Sequence, residues 1–173
     1  MTARELIEKG DEALVDRAYF DAECPQFLSV DWGEEDSTIV EMCEELLETG
    51  KLSAEWGDDD GNLIIRYGEA EKMVPLAMDA GDRHLTICAL NDILDPDYEL
   101  RMIVSSHGSD TLGLCALPKG EWAALEKSRP AVVEANFLDP RRLPNMVTEL
   151  RDADLPQLAR ERFERMITRN TRE

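Results

Sequence analysis

Residues 52–67 place the strongest constraint on what this chain can fold into. Leu52, Ala54 and Trp56 alternate with polar neighbours, Gly57-Asp58-Asp59-Asp60-Gly61-Asn62 interrupts, and Leu63, Ile65 and Tyr67 resume the alternation. A period of two puts every apolar member on one face of a strand, and a break rich in glycine and aspartate reverses the chain. The segment predicts a β-hairpin. Residues 98–104 and 111–117 predict a second one, joined through Ser105-Ser106-His107-Gly108-Ser109-Asp110. Strands are also expected over 27–32, where Leu28, Val30 and Trp32 share a face, and over 72–77. Pro75 lacks the N–H that a central strand donates, so this last strand belongs at an edge.

Helical periods fill the intervals. Thr2-x-x-Glu5 is a capping box that starts a helix at about Ala3, and Gly10-Asp11 divides it before Pro25. Asp36 or Ser37 caps a helix over 38–49. Its apolar stripe is Ile39, Cys43, Leu46 and Leu47, Glu41, Glu44, Glu45 and Glu48 cover its other side, and Gly50 stops it. A third helix over 82–94 buries Leu85, Cys88, Leu90 and Ile93 and ends at Asp95-Pro96-Asp97. Pro118 opens a short helix carrying Trp122, Ala124 and Leu125. Residues 129–138 are apolar without a clear period. A short helix is expected over 141–150, with Pro144 near its first turn. A last helix to about Ile167 carries the stripe Leu158, Ala159, Phe163, Met166 and Ile167. These elements predict one α+β domain over residues 1–173. It has a mainly antiparallel sheet of four to six strands, helices packed against it and a helical C-terminus. The length suffices to bury a core without disulfide or metal staples.

Charge sets the class of partner. The chain holds 38 acidic and 19 basic side chains, a net −19. The imbalance is local: residues 1–128 carry 30 acidic and 10 basic groups, and residues 129–173 carry 8 and 9, including Arg160, Arg162, Arg165, Arg169 and Arg172. The arginine-bearing tail is expected to fold back on the acidic body or to form a contact surface of its own. The acid favours solubility. It also repels nucleic acid and anionic membranes and steers basic proteins inward. Cys43, Cys88 and Cys115 lie in apolar runs, and Cys24 has no C-x-x-C companion, so core thiols in a reducing compartment are expected. No signal-peptide pattern follows Met-Thr-Ala-Arg-Glu, and no apolar run approaches membrane-spanning length; a cytoplasmic protein is expected.

Catalytic patterns are sparse. An EF-hand loop with its glycine at Gly61 would need a ligand at Trp56, which cannot coordinate, so Asp58, Asp59 and Asp60 read as a turn. His84 and His107 belong to no zinc ligand set. Ser106, His107, Ser109 and Asp110 share one loop, where sequence neighbours rarely attain the opposed geometry of a triad. No nucleophile elbow, Walker loop or dinucleotide glycine pattern occurs. No catalytic residue, metal or cofactor is assigned.

One repeat stands out. Leu28-Ser-Val-Asp-Trp32-Gly-Glu34-Glu35-Asp36 matches Leu52-Ser-Ala-Glu-Trp56-Gly-Asp58-Asp59-Asp60 almost position by position. Each half is a strand ending in Trp and opening into an acidic loop. Strands lying side by side would join two indoles to six carboxylates. Trp32, Glu34, Glu35, Asp36, Trp56, Asp58, Asp59 and Asp60, with Glu41, Glu45 and Glu48 from the glutamate-faced helix, form the candidate partner-binding set. The alternative is that both rings are core and the acids are solvated turns.

The stretch from Leu85 to Leu125 joins a helix, Asp95-Pro96-Asp97-Tyr98-Glu99-Leu100-Arg101, Gly108-Ser109-Asp110-Thr111-Leu112 and a Trp-bearing helix. It resembles a group of functionally uncharacterised small bacterial proteins. In size, acidity and lack of catalytic motifs the chain is similar to bacterial immunity proteins. That resemblance implies a cytoplasmic protein that neutralises a cognate toxin by stoichiometric binding, and it carries over no individual residue. An adaptor or chaperone for a secreted effector, a nucleic-acid-mimicking inhibitor and a small enzyme built on His107 are the alternatives.

Overall fold

The computed structural model describes residues 1–58 and 61–171. The chain opens with helices Ala3–Lys9 (α1) and Glu12–Phe20 (α2). The capping box starts the first: Thr2 Oγ1 accepts from the Glu5 N–H, and the Glu5 carboxylate accepts from the Thr2 N–H at 2.8 Å. Gly10 ends that helix at φ 68°, and Asp11 caps the next through the Ala13 N–H. There follow strand Phe27–Asp31 (β1), helix Asp36–Leu47 (α3), strands Leu52–Trp56 (β2), Asn62–Tyr67 (β3) and Ala70–Pro75 (β4), and helix Asp82–Leu94 (α4). The hairpin Tyr98–Ile103 (β5) and Thr111–Pro118 (β6) leads to helices Lys119–Ser128 (α5) and Pro130–Asn136 (α6). A two-residue strand, Phe137–Leu138 (β7), and helix Gln157–Asn170 (α7) complete the fold.

The fold is α+β with a helical C-terminus, as expected, and its strands divide between two antiparallel sheets. One has the order β1-β6-β5-β7 and the other is the meander β2-β3-β4, with the Pro75-bearing strand at an edge. Strands β5 and β6 are buried along nearly their whole length because they are central and covered on both faces. One face contributes Leu100, Met102, Leu112 and Leu114 to a core shared with α3, α4, α7 and the meander. The other contributes Ile103, Cys115 and Leu117 to a core shared with α1, α2, α5 and α6. On that second face Gly113 leaves room for the Tyr19 ring, which lies 2.5 Å from where a Cβ would stand.

Several local expectations are corrected. Residues 141–150 form no α-helix. Pro144 withholds an N–H, and Asn145 Oδ1 draws the Val147 and Thr148 N–H groups into a turn at 3.1 and 3.2 Å. Pro130 instead opens α6 within the segment that showed no period. Leu85, Ala124 and Ile167 are exposed. In α4 the buried stripe runs through Thr86, Ile87, Leu90, Asn91 and Leu94, so the apolar face is rotated away from Leu85.

The arginine-bearing tail folds onto the body. Arg162, fully buried in α7, donates to Asp16 of α2, to Asn136 at 3.0 Å and to Ser105 at 2.9 Å. Arg165 and Arg169 pair with Glu12 and Asp16 at 2.6 and 3.4 Å.

Candidate functional site

The two Trp-Gly-acid segments do not lie side by side. β1 belongs to the four-stranded sheet and β2 to the meander, so sequence similarity does not become strand pairing. Trp32 follows the end of β1 and is 48% exposed. It lines a cleft of about 180 Å³ with His107, Ser109, Met146 and Leu150. Trp56 ends β2, is 41% exposed, and lines a separate cleft of about 330 Å³ with Met78, Glu35, Asp36, Asp82 and Arg83. The first loop thus delivers two acids, but not its tryptophan, to the second tryptophan.

Those acids have different fates. Glu35 is exposed and caps α3 with its backbone, its side chain making no capping bond. Asp36, expected at the surface or as the cap, lies inside the first turn of α3 and is only 5% exposed. Thr86 Oγ1 donates to it at 2.6 Å and Arg83 approaches at 3.8 Å. Burial pushes its carboxyl up, outweighing the Thr86 hydrogen bond and the Arg83 charge. Asp82 is buried and accepts from the Ala77 and Asp79 N–H groups, each at 3.0 Å. Arg83 ties the site together, donating to the carbonyls of Asp79 at 2.9 Å and Glu34 at 2.7 Å. Glu34 is half-buried.

Glu41 and Glu45 are exposed on α3, Glu48 is exposed at its C-terminal cap, and Asp58 is exposed beyond Trp56. Asp59 and Asp60 lie outside the described residues. Glu48 also ends α3 at φ 49°, ahead of the expected stop at Gly50. The acid that sequence reasoning left on the solvated face is Glu44. Its carboxylate accepts from Thr49 Oγ1 at 2.5 Å, the Leu52 N–H at 3.1 Å and the Gly50 N–H, closing the turn into β2. Partial burial pulls this carboxyl upward, but those donors outweigh it and hold it below the usual range. The available signal was the Thr-Gly pair one turn beyond Glu44.

The catalytic candidates are occupied elsewhere. His107 Nε2 meets Asp152, not Asp110, at 2.8 Å, and its ring edge packs on Phe163. Ser106 Oγ donates to the Ile103 carbonyl at 2.7 Å, and Ser109 Oγ to the Thr111 carbonyl at 2.6 Å; neither hydroxyl is aimed at the imidazole. All four cysteines are free thiols. Burial pushes Cys43 up to about 12 and Cys88 up to about 11, away from thiolate reactivity. A cleft of about 760 Å³ is lined in part by charges that pair with one another. Arg101 lies over the Trp122 ring at 4.2 Å and pairs with Glu99 at 2.5 Å and Glu126 at 2.8 Å. Among the described residues no His, Cys, Asp and Glu grouping could hold a metal ion, and no helix is long and apolar enough to cross a membrane.

An α+β protein with exposed aromatic and acidic residues beside two clefts is the class these features define. No family model, curated protein or solved structure matches the chain.

Proposed function

We propose that this chain is a protein-binding protein that neutralises a basic partner by stoichiometric occupation, most concretely an immunity protein acting on a cognate toxin in the cytoplasm. The observation that carries the reading is the placement of exposed Trp56 and Met78 beside exposed acid that is unpaired among the described residues. Glu35 lines the cleft with the apolar pair, Asp58 is exposed two residues beyond Trp56, and Glu41, Glu45 and Glu48 extend the acid along α3 and its C-terminal end. An apolar anchor with a charged rim is the anatomy of an interface whose centre supplies affinity and whose edge supplies attraction. Acid placed this way suits a basic groove, including one that otherwise holds a nucleic-acid backbone.

A second reading has its own observation. Met73 on β4 is 63% exposed and pairs across the meander with half-buried Ile64, giving an apolar patch that an adaptor or chaperone for a secreted chain would use. Salt separates the two. The protein is immobilised in a lysate of its native host, the captured protein is identified and purified, and its association rate is measured. The inhibitor reading expects a basic partner whose association slows by about tenfold or more from low to high salt. It also expects slower association after Glu41, Glu45 and Glu48 are changed to Lys. Binding indifferent to salt favours the adaptor, and absence of any specific partner sinks both.

A further inference from the structure

We infer that the Trp56–Met78 cleft receives a single lysine or arginine side chain from the partner, an assignment that rests on the protein-binding reading above. The cleft opens between the end of β2, the β4–α4 loop and the first turns of α3 and α4. Its apolar wall is Trp56 and Met78. Met78 is 71% exposed and held at φ 62°, a left-handed backbone that an L residue enters at a cost. Met78 lines the same cleft as Trp56.

The charges decide the occupant. Of the four charged residues lining the cleft, three are engaged internally. Asp36 holds Thr86 and faces Arg83, Asp82 takes two backbone N–H groups, and Arg83 donates to two carbonyls through its terminal nitrogens while its Nε is buried without a partner. Glu35 is exposed, and among the described residues no hydrogen bond or ion pair reaches its carboxylate. The one exposed charge lining the cleft is therefore negative. An anion would meet three carboxylates, and the helix N-termini that could attract it already carry Asp36 and Asp82 in their first turns. A neutral guest would desolvate Glu35 without giving it a partner. A basic side chain matches both walls. Its methylene stem covers Trp56 and Met78, and its cationic head meets the indole face and Glu35.

The test titrates capped Gly-Lys-Gly, Gly-Arg-Gly and Gly-Gln-Gly peptides into the full chain. NMR follows the Trp56 indole N–H and the Met78 methyl group, with the Trp32 indole as an internal reference. The Lys and Arg peptides shift the Trp56 and Met78 signals saturably, and the Gln peptide leaves them in place. Glu35→Gln weakens the Lys peptide by about two- to fivefold, and Trp56→Ala by about fivefold or more. Both are surface changes, and unchanged melting temperatures confirm intact folding. An equal response to the Gln peptide, a response that survives both substitutions, or an equal shift at Trp32 overturns the assignment. Failure here with a salt-sensitive partner still bound refutes the basic-side-chain assignment alone. A normal peptide response with no specific protein partner refutes the inhibitor reading alone.

Discussion

Two acidic regions of this molecule use the same residue types in opposite ways. Along the α2–α7 seam, Glu12 and Asp16 face Arg162, Arg165 and Arg169, and Ser105 donates to Asp16 at 2.6 Å. Along α3, Glu41, Glu45 and Glu48 are exposed and have no cationic partner among the described residues. At the seam, acid neutralises a fully buried guanidinium and joins the two ends of the chain. On α3 it remains in water. Net charge alone therefore does not separate acid used inside the fold from acid displayed to solvent. A partner that competes for seam carboxylates must first strand Arg162, which is far costlier than neutralising a solvated glutamate.

Breaking the seam gives the largest expected effect. Asp16→Ala removes the carboxylate that Arg162 reaches and leaves a buried cation short of a counter-charge. A loss of about 3–5 kcal/mol is expected, read by urea unfolding. Arg162→Met removes the buried charge itself and costs less, because Asp16 keeps the Ser105 hydroxyl and a partial route to water. Equal costs for the two variants would mean that packing, not charge pairing, holds α7 in place.

Two acids bordering the α3 face sharpen the contrast through pH. Glu44 has its carboxyl held below the usual range, so its ionised form stabilises the folded chain. That contribution is complete above about pH 4.3, the ordinary glutamate value, and is lost as pH falls through the lower folded-state value. Glu44→Gln should cost about 1 kcal/mol at neutral pH and progressively less in acid, followed by thermal melts across pH. Asp36 runs the other way. Burial raises its carboxyl, so its contribution is present below about pH 3.9 and is lost as pH rises through the folded-state value. Asp36→Asn keeps an acceptor for Thr86 and should change stability at neutral pH by less than about 1 kcal/mol, in either direction. Relative to the native chain, the variant should lose stability as pH falls through the folded-state value of Asp36.

Much of this was legible in the sequence where local patterning and tertiary packing agree. The alternations at 52–67 and 98–117, the Thr2-Glu5 capping box and the Gly10 break all appear as read, because each rests on contacts within a few residues. The division into two sheets was not legible. It depends on β1 pairing with β6, eighty or more positions away, rather than with the similar β2. Trp32 and Trp56 looked equivalent as letters and occupy different clefts for that reason. The fates of Asp36 and Glu44 were hidden similarly. One is buried by α4 arriving through Thr86 and Arg83, and the other is claimed by backbone donors that exist only once the chain turns into β2. Met78 carries no sequence signal at all; only its backbone conformation and exposure bring it to the site.

The smallest expected effect is the most diagnostic for the comparison. Changing Glu41, Glu45 and Glu48 together to Gln removes three charges that hold nothing in place. Glu41 and Glu45 stand four residues apart on one helix face, where like charges repel. The variant should therefore be unchanged or more stable by roughly 0.2–0.5 kcal/mol at low salt, and the difference should shrink as salt screens the repulsion. A loss above about 1 kcal/mol would show that this face is tied down like the seam, and the distinction between paired and displayed acid would fail. A small gain in stability, together with slower association to a basic partner, would show acid held on the surface at a structural cost and used in binding. That combination is what a docking face requires and what a face serving only solubility does not predict.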